Sequence, residues 1–221
     1  MSLVIDPPIP GPHQGARLVT RGSAPGQARL GVVLCHGRGA TAEDILALAA
    51  ELEDPGAFWV APQAVGQTWY PSSFMAPLRD NEPYLSSALA LVAALVGALE
   101  RAGIPAERQL LLGFSQGGCL ALESAGRSAR RYGGVVGLAA GLIGPAGRSW
   151  NFTGTLAGTP VFLGCSDRDP HIPRDRVEES ARELARIGGE VDLRIYPDLG
   201  HTVNRDELDR VQGLLDRIAG A

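Results

Sequence analysis

Apolar positions along the chain fall into two kinds of run. The first kind is short and unbroken: Leu30-Gly31-Val32-Val33-Leu34-Cys35, Ala57-Phe58-Trp59-Val60-Ala61, Gln109-Leu110-Leu111-Leu112, Gly134-Val135-Val136-Gly137-Leu138-Ala139 and Pro160-Val161-Phe162-Leu163-Gly164-Cys165. Continuous runs of this length, bounded by Gly and Pro, predict strands buried on both faces. Ala16-Arg17-Leu18-Val19-Thr20 predicts an earlier strand, able to pair with Leu30–Cys35 as a hairpin at one sheet edge, and Glu190–Tyr196 predicts a late one. The second kind of run is periodic. Ile45, Leu48, Ala49 and Leu52 keep one helical face, as do Leu85, Leu89, Val92, Val96 and Leu99. Val177, Ala181 and Leu184 mark a third stripe, and Leu208, Val211, Leu215 and Ile218 a fourth. Thr41 with Asp44 has capping-box spacing, Asn81 and Asn204 can cap the second and last of these helices, and the third starts near Pro173.

Strands alternating with helices predict an α/β fold with one open, mostly parallel central sheet and helices on both faces. No repeat, low-complexity segment or linker interrupts residues 1–221, so a single domain is expected. In such sheets ligands bind beyond the carboxyl ends of the strands. Two long irregular segments are then of interest: 62–80, which carries Trp69-Tyr70-Pro71 and Phe74-Met75, and the glycine-rich 141–158.

Composition narrows the chemistry. All 20 basic residues are arginine, which excludes Ser–Lys dyads, Schiff bases, pyridoxal phosphate attachment and a P-loop. The net charge of −4 gives no reason to expect nucleic acid or an anionic membrane as partner. Cys35, Cys119 and Cys165 lie in or beside apolar runs without C-x-x-C spacing, as expected of reduced, buried thiols. Met1 to Pro12 lacks a signal-peptide layout and no apolar run approaches bilayer-spanning length, so a cytoplasmic protein is expected.

One stretch combines the elements needed for covalent catalysis. Gly113-Phe114-Ser115-Gln116-Gly117-Gly118 follows the strand at Gln109–Leu112 and leads into a helix through Cys119–Ala125. A serine on such a glycine-flanked strand-to-helix turn stands clear of the sheet, with helix-terminal amides beside it. Its hydroxyl needs a base, and the base needs an orienting group. Of four histidines, His13 lies in the flexible opening, His36 in a glycine loop and His171 beside acidic residues. His201 follows the last strand, where a base is required. Asp167 and Asp169 both follow the strand ending at Cys165, and either can supply the acid in the order Ser, Asp, His of the α/β-hydrolases. No pair of histidines has metal-ligand spacing, and neither metal nor cofactor is called for.

With His36-Gly37-Arg38-Gly39, Trp69-Tyr70-Pro71, the serine turn, Asp167-Arg168-Asp169-Pro170-His171-Ile172-Pro173 and Gly200-His201 in this order, the chain resembles the phospholipase/carboxylesterase family of α/β-hydrolases, the group that includes acyl-protein thioesterases. The resemblance implies the α/β-hydrolase fold and selects Asp169, the aspartate before the proline, as the acid beside Ser115 and His201. It implies an oxyanion hole from the backbone amides of Arg38 and Gln116, and leaves His36 to brace its loop. Segment 67–80 carries Arg79 and Asp80 beside its aromatics, and resembles bacterial carboxylesterases of the family more than members acting on palmitoylated proteins. Trp69, Tyr70, Phe74 and Met75 become candidate substrate contacts. Residues 138–160 are too few for a large cap domain.

The expected function is hydrolysis of small or medium acyl esters through a Ser-His-Asp triad and an acyl-enzyme. Thioesterase, lysophospholipase or dienelactone-type hydrolysis would use the same groups. A catalytically silent ligand-binding relative is the alternative from another class. The resemblance also allows a homodimer.

Overall fold

A computed structural model describes residues 3–6, 8–53 and 56–220. Seven strands form one sheet: β1 (Leu18–Gly22), β2 (Leu30–Cys35), β3 (Ala57–Pro62), β4 (Gln109–Phe114), β5 (Gly134–Leu138), β6 (Pro160–Ser166) and β7 (Glu190–Tyr196). Their order is β1-β3-β2-β4-β5-β6-β7. All neighbours are parallel except β1, which runs antiparallel to β3 with Leu18 opposite Pro62.

The expected hairpin between the first two strands therefore does not form. Every residue of β2 is buried, whereas β1 is only partly so. A strand apolar on both faces belongs inside the sheet, and β2 lies between β3 and β4, leaving the outer edge to β1.

Among the described residues five α-helices cover the sheet: α1 (Ala42–Ala49), α2 (Tyr84–Arg101), α3 (Gln116–Arg127), α4 (Arg174–Arg186) and α5 (Arg205–Ala219). One apolar layer joins Val33, Leu111 and Leu163 to α2, α3 and α4; the other joins Leu34, Leu112 and Phe162 to α1 and α5. The capping boxes of Thr41 with Asp44 and of Asn204 with Glu207 start α1 and α5. Asn81 does not cap α2, which begins after Pro83. It is buried instead, accepting from Ser72 N at 2.8 Å and donating to Ser73 O at 2.9 Å, so it shapes the 62–80 segment. By length and mean hydropathy (1.4), α2 could cross a bilayer, contrary to expectation. Its buried side chains, Leu85, Leu91, Leu95 and Leu99 among them, pack in the core of the sheet's α2, α3 and α4 face.

Glycines set the spacing beneath the serine turn. A Cβ on Gly117 would overlap the Cys35 and His36 carbonyls, and one on Gly113 would overlap the Gly117 backbone. Helix α3 therefore starts directly against the ends of β2 and β4, which brings the His36–Gly39 loop beside Ser115.

Candidate active site

Ser115 sits at the N-cap of α3 with φ 54° and ψ −121°. Such a conformation stores about 1–3 kcal/mol in a non-glycine residue and is found where a site over-determines the backbone. The strain aims the hydroxyl away from the sheet. His201 Nε2 lies 2.9 Å from Ser115 Oγ, and His201 Nδ1 lies 2.7 Å from Asp169 Oδ2. The Asp169 side chain is fully buried and that of His201 is 19% exposed. Asp169 Oδ1 accepts from the amides of His171 (2.8 Å) and Ile172 (3.0 Å), which fixes the carboxylate's orientation. With Nδ1–H donated to Asp169, the Nε2 lone pair faces the serine hydroxyl. Asp167 accepts instead from Asp198 N at 2.8 Å, and so staples the loop that carries His201. Between the two aspartates left open by the residues alone, the geometry puts Asp169 on the imidazole.

The amides of Arg38 and Gln116 have no hydrogen-bond acceptor among the described residues. A Cβ on Gly37 would stand 3.6 Å from Ser115 Cβ, so the peptide ahead of Arg38 lies alongside the serine. His36 orients that peptide. It is fully buried, its Nδ1–H donates to Gly37 O at 2.8 Å, and its Nε2 accepts from Ala64 N at 3.1 Å. Because Gly37 C=O and Arg38 N–H share one plane, anchoring the carbonyl fixes the direction of the amide. The acceptor role of Nε2 requires a neutral ring, and burial lowers the His36 pKa in the same sense.

The side chains of Arg38 and Gln116 do work that sequence reasoning missed. The Arg38 guanidinium donates to Tyr70 O (3.0 Å), Pro71 O (2.9 Å) and Ser72 O (2.7 Å). Gln116 accepts from Trp69 N at 2.9 Å and donates to Tyr70 O at 2.7 Å. Together they tie segment 68–72 over the site. His13, set aside as part of a flexible opening, is fully buried and braces the same segment, with Nε2 3.0 Å from Trp69 O. Most of these partners are backbone atoms dozens of residues away, and no local spacing announces them.

A cavity of about 510 Å³ opens above Ser115. Tyr70 and Phe74 line it. The other two candidate contacts do not: Trp69 is wholly buried with its Nε1 donating to His36 O at 2.8 Å, and Met75 packs on the core beside the cavity. Behind Phe74 packs Arg176, 3% exposed, which pairs with Glu179 at 2.9 Å and donates to Leu142 O (2.9 Å), Gly144 O (2.6 Å) and Pro145 O (3.2 Å). Cys119 also lines the cavity, but burial pushes its thiol up to about 12, as it does for Cys35 and Cys165. A thiol held neutral at physiological pH is a poor nucleophile.

Residues 19–218 match the protein family described as phospholipase/carboxylesterase. A phospholipase/carboxylesterase from Dyadobacter fermentans, known from its crystal structure, is 42% identical; the superposition has a TM-score of 0.87 and covers 91% of this chain and 96% of that one. Acyl-protein thioesterase 1 of Gibberella zeae is 34% identical over 119 residues, 51% of this chain and 49% of the relative. The chain thus spans about half the length of that curated relative. Acyl-protein thioesterase 1 of Saccharomyces cerevisiae is 24% identical over 86% of this chain and 93% of its own.

Proposed function

The chain belongs to the phospholipase/carboxylesterase family, and from that premise we propose that it is a serine carboxylesterase for small or medium acyl esters, with Ser115, His201 and Asp169 as its triad. The observation that carries this reading is the unbroken chain of short contacts from Asp169 through His201 to a strained serine at the head of α3.

His201 Nε2 takes the Ser115 proton as Oγ attacks the ester carbonyl. The new oxyanion accepts from the amides of Arg38 and Gln116, each worth about 2.7–4 kcal/mol in transition-state stabilisation at comparable sites. Asp169 keeps the reactive tautomer and stabilises the imidazolium. His201 then returns the proton to the leaving alcohol. Water resolves the acyl-enzyme by the same route, with His201 again as base. The acyl group would occupy the cavity lined by Phe74 and Ile172. Thioester hydrolysis is the second reading, favoured by the names of the curated relatives, and proceeds through the same tetrahedral intermediate.

The test is hydrolysis of 4-nitrophenyl acetate by the wild type and Ser115→Ala, with fluorophosphonate labelling of both. Turnover and labelling are expected in the wild type alone. Wild-type activity retained in Ser115→Ala would remove this serine from the reaction. Matched oxygen and sulfur esters of one acyl chain then separate the two readings by kcat/KM.

A further inference from the structure

The cavity above Ser115 is lined by one permanent charge, the Arg38 guanidinium. The imidazoles of His171 and His201 line it as well, and among the described residues no aspartate or glutamate does. This in a chain whose net charge is −4. The nearby carboxylates are engaged elsewhere: Asp169 is bonded to His201 and two amides, and Glu123, fully buried on α3, pairs with Arg127 and Arg148. Arg38 is the unusual member. Its guanidinium has no carboxylate within ion-pair distance among the described residues, yet three backbone carbonyls hold it in place. Those three bonds use three of its five N–H groups and leave two for a ligand. A cation fixed in advance loses little freedom when it captures an anion. At the other side of the cavity the His171 ring stands edge-on to His201, with centroids 4.7 Å apart.

We propose that the enzyme selects esters carrying an anionic group, a carboxylate in the first instance, read by the free N–H groups of Arg38 and by His171. This rests on the esterase reading above and deepens it. The reaction is unchanged: Ser115 forms and releases the acyl-enzyme, and the anion remains a spectator that anchors the substrate.

Two pairs of matched substrates test it by proton release at about pH 8, where the carboxylates are ionised. Monoethyl adipate against ethyl hexanoate places the charge on the acyl side, and 4-acetoxybenzoate against phenyl acetate places it on the leaving group. The expected result is a kcat/KM at least about ten-fold higher for the anionic member of one pair, the size of one charge-assisted hydrogen bond. The preference should shrink in about 0.5 M salt. It should be lost in Arg38→Met and reduced in His171→Gln, a variant that leaves the 70–72 grip alone. An independent arm needs no turnover: hexanoate should bind Ser115→Ala in calorimetry and hexanamide should not. Neutral members equal to or better than anionic ones in both pairs would overturn the proposal, as would equal binding of hexanoate and hexanamide. Arg38-dependent hexanoate binding by a protein that hydrolyses none of the four esters would leave the anion site standing and remove the esterase reading.

Discussion

Asp169→Asn is the substitution whose consequence follows most directly from the geometry. Asp169 Oδ1 accepts two amides, from His171 and Ile172, and both need an acceptor in the variant as well. The asparagine oxygen must therefore stay on that side, and its Nδ2 group turns toward His201 Nδ1, 2.7 Å from the atom it replaces. A flipped side chain would set donor against donor at two places. Facing an N–H donor, the imidazole offers the Nδ1 lone pair and moves its proton to Nε2, where it points at Ser115 Oγ 2.9 Å away. The base is then on the wrong tautomer, and the imidazolium formed in the transition state has lost its buried counter-charge. An Asp-to-Asn change with the same effect on a serine triad lowers kcat about 10⁴-fold, roughly 5.4 kcal/mol in activation free energy. The assay is kcat for 4-nitrophenyl acetate, normalised to total protein, with circular dichroism to confirm the fold. Asp167→Asn is the control: its carboxylate meets only the Asp198 amide and the loop, so activity should stay within about 3-fold, a surface-scale effect. A folded Asp169→Asn with less than about a ten-fold loss, or an equal loss in Asp167→Asn, would refute the assignment.

Two further outcomes are expected. His36→Phe keeps the ring packed on Trp69 but removes the bond that aims the Arg38 amide, so kcat should fall about 100-fold with KM little changed. His36→Asn, whose amide can donate to Gly37 O, should recover part of that loss; a shift in KM alone would point to a purely structural role. Glu207 is buried beside Gly164, one of its oxygens has no partner, and burial pushes its pKa up to about 7. Its folded value lies above the unfolded one, so the native state holds the proton more tightly between about pH 4.5 and 7. Stability contributed by this group is complete below about 4.5 and declines as pH rises through 7, by up to about 3 kcal/mol. Glu207→Gln should therefore raise Tm at pH 8 more than at pH 5, and an equal change at both would sink the argument.

Local signals carried most of the fold and the serine turn. Unbroken apolar runs marked β2 to β6, because strands buried on both faces must be apolar throughout. The serine turn was legible for a similar reason: Gly113 and Gly117 stand where any side chain would strike backbone, and the requirement is written in five consecutive residues. What depended on pairing between distant segments was harder to read. Nothing in Ala16–Thr20 says whether its edge partner is the next strand or the one after. The difference emerges only when β2, apolar on both faces, competes for an interior place. Asn81 has the right chemistry for a helix cap, yet the 72–73 backbone outbid α2 for it.

The walls of the site were hidden for a further reason. Their ties end on main-chain carbonyls, which every residue possesses and no residue type reveals. Arg38 on 70–72 and Arg176 on 142–145 each grip three carbonyls with one planar fork. A lysine ammonium, a compact and strongly hydrated point charge, is less suited to holding a curved loop by several fixed contacts. The absence of lysine, which excluded several chemistries at the outset, thus coincides with a site whose mobile-length loops are clamped by arginine. Such clamping leaves charge behind. Arg176 is buried behind Phe74 among carbonyls and the Phe74 and Trp150 rings, and Glu179 at 2.9 Å occupies its charge. Arg38 stands at the rim with two N–H groups to spare. The residue whose amide is proposed for the oxyanion, and whose guanidinium grips the loop, is therefore the one placed to sort substrates by charge.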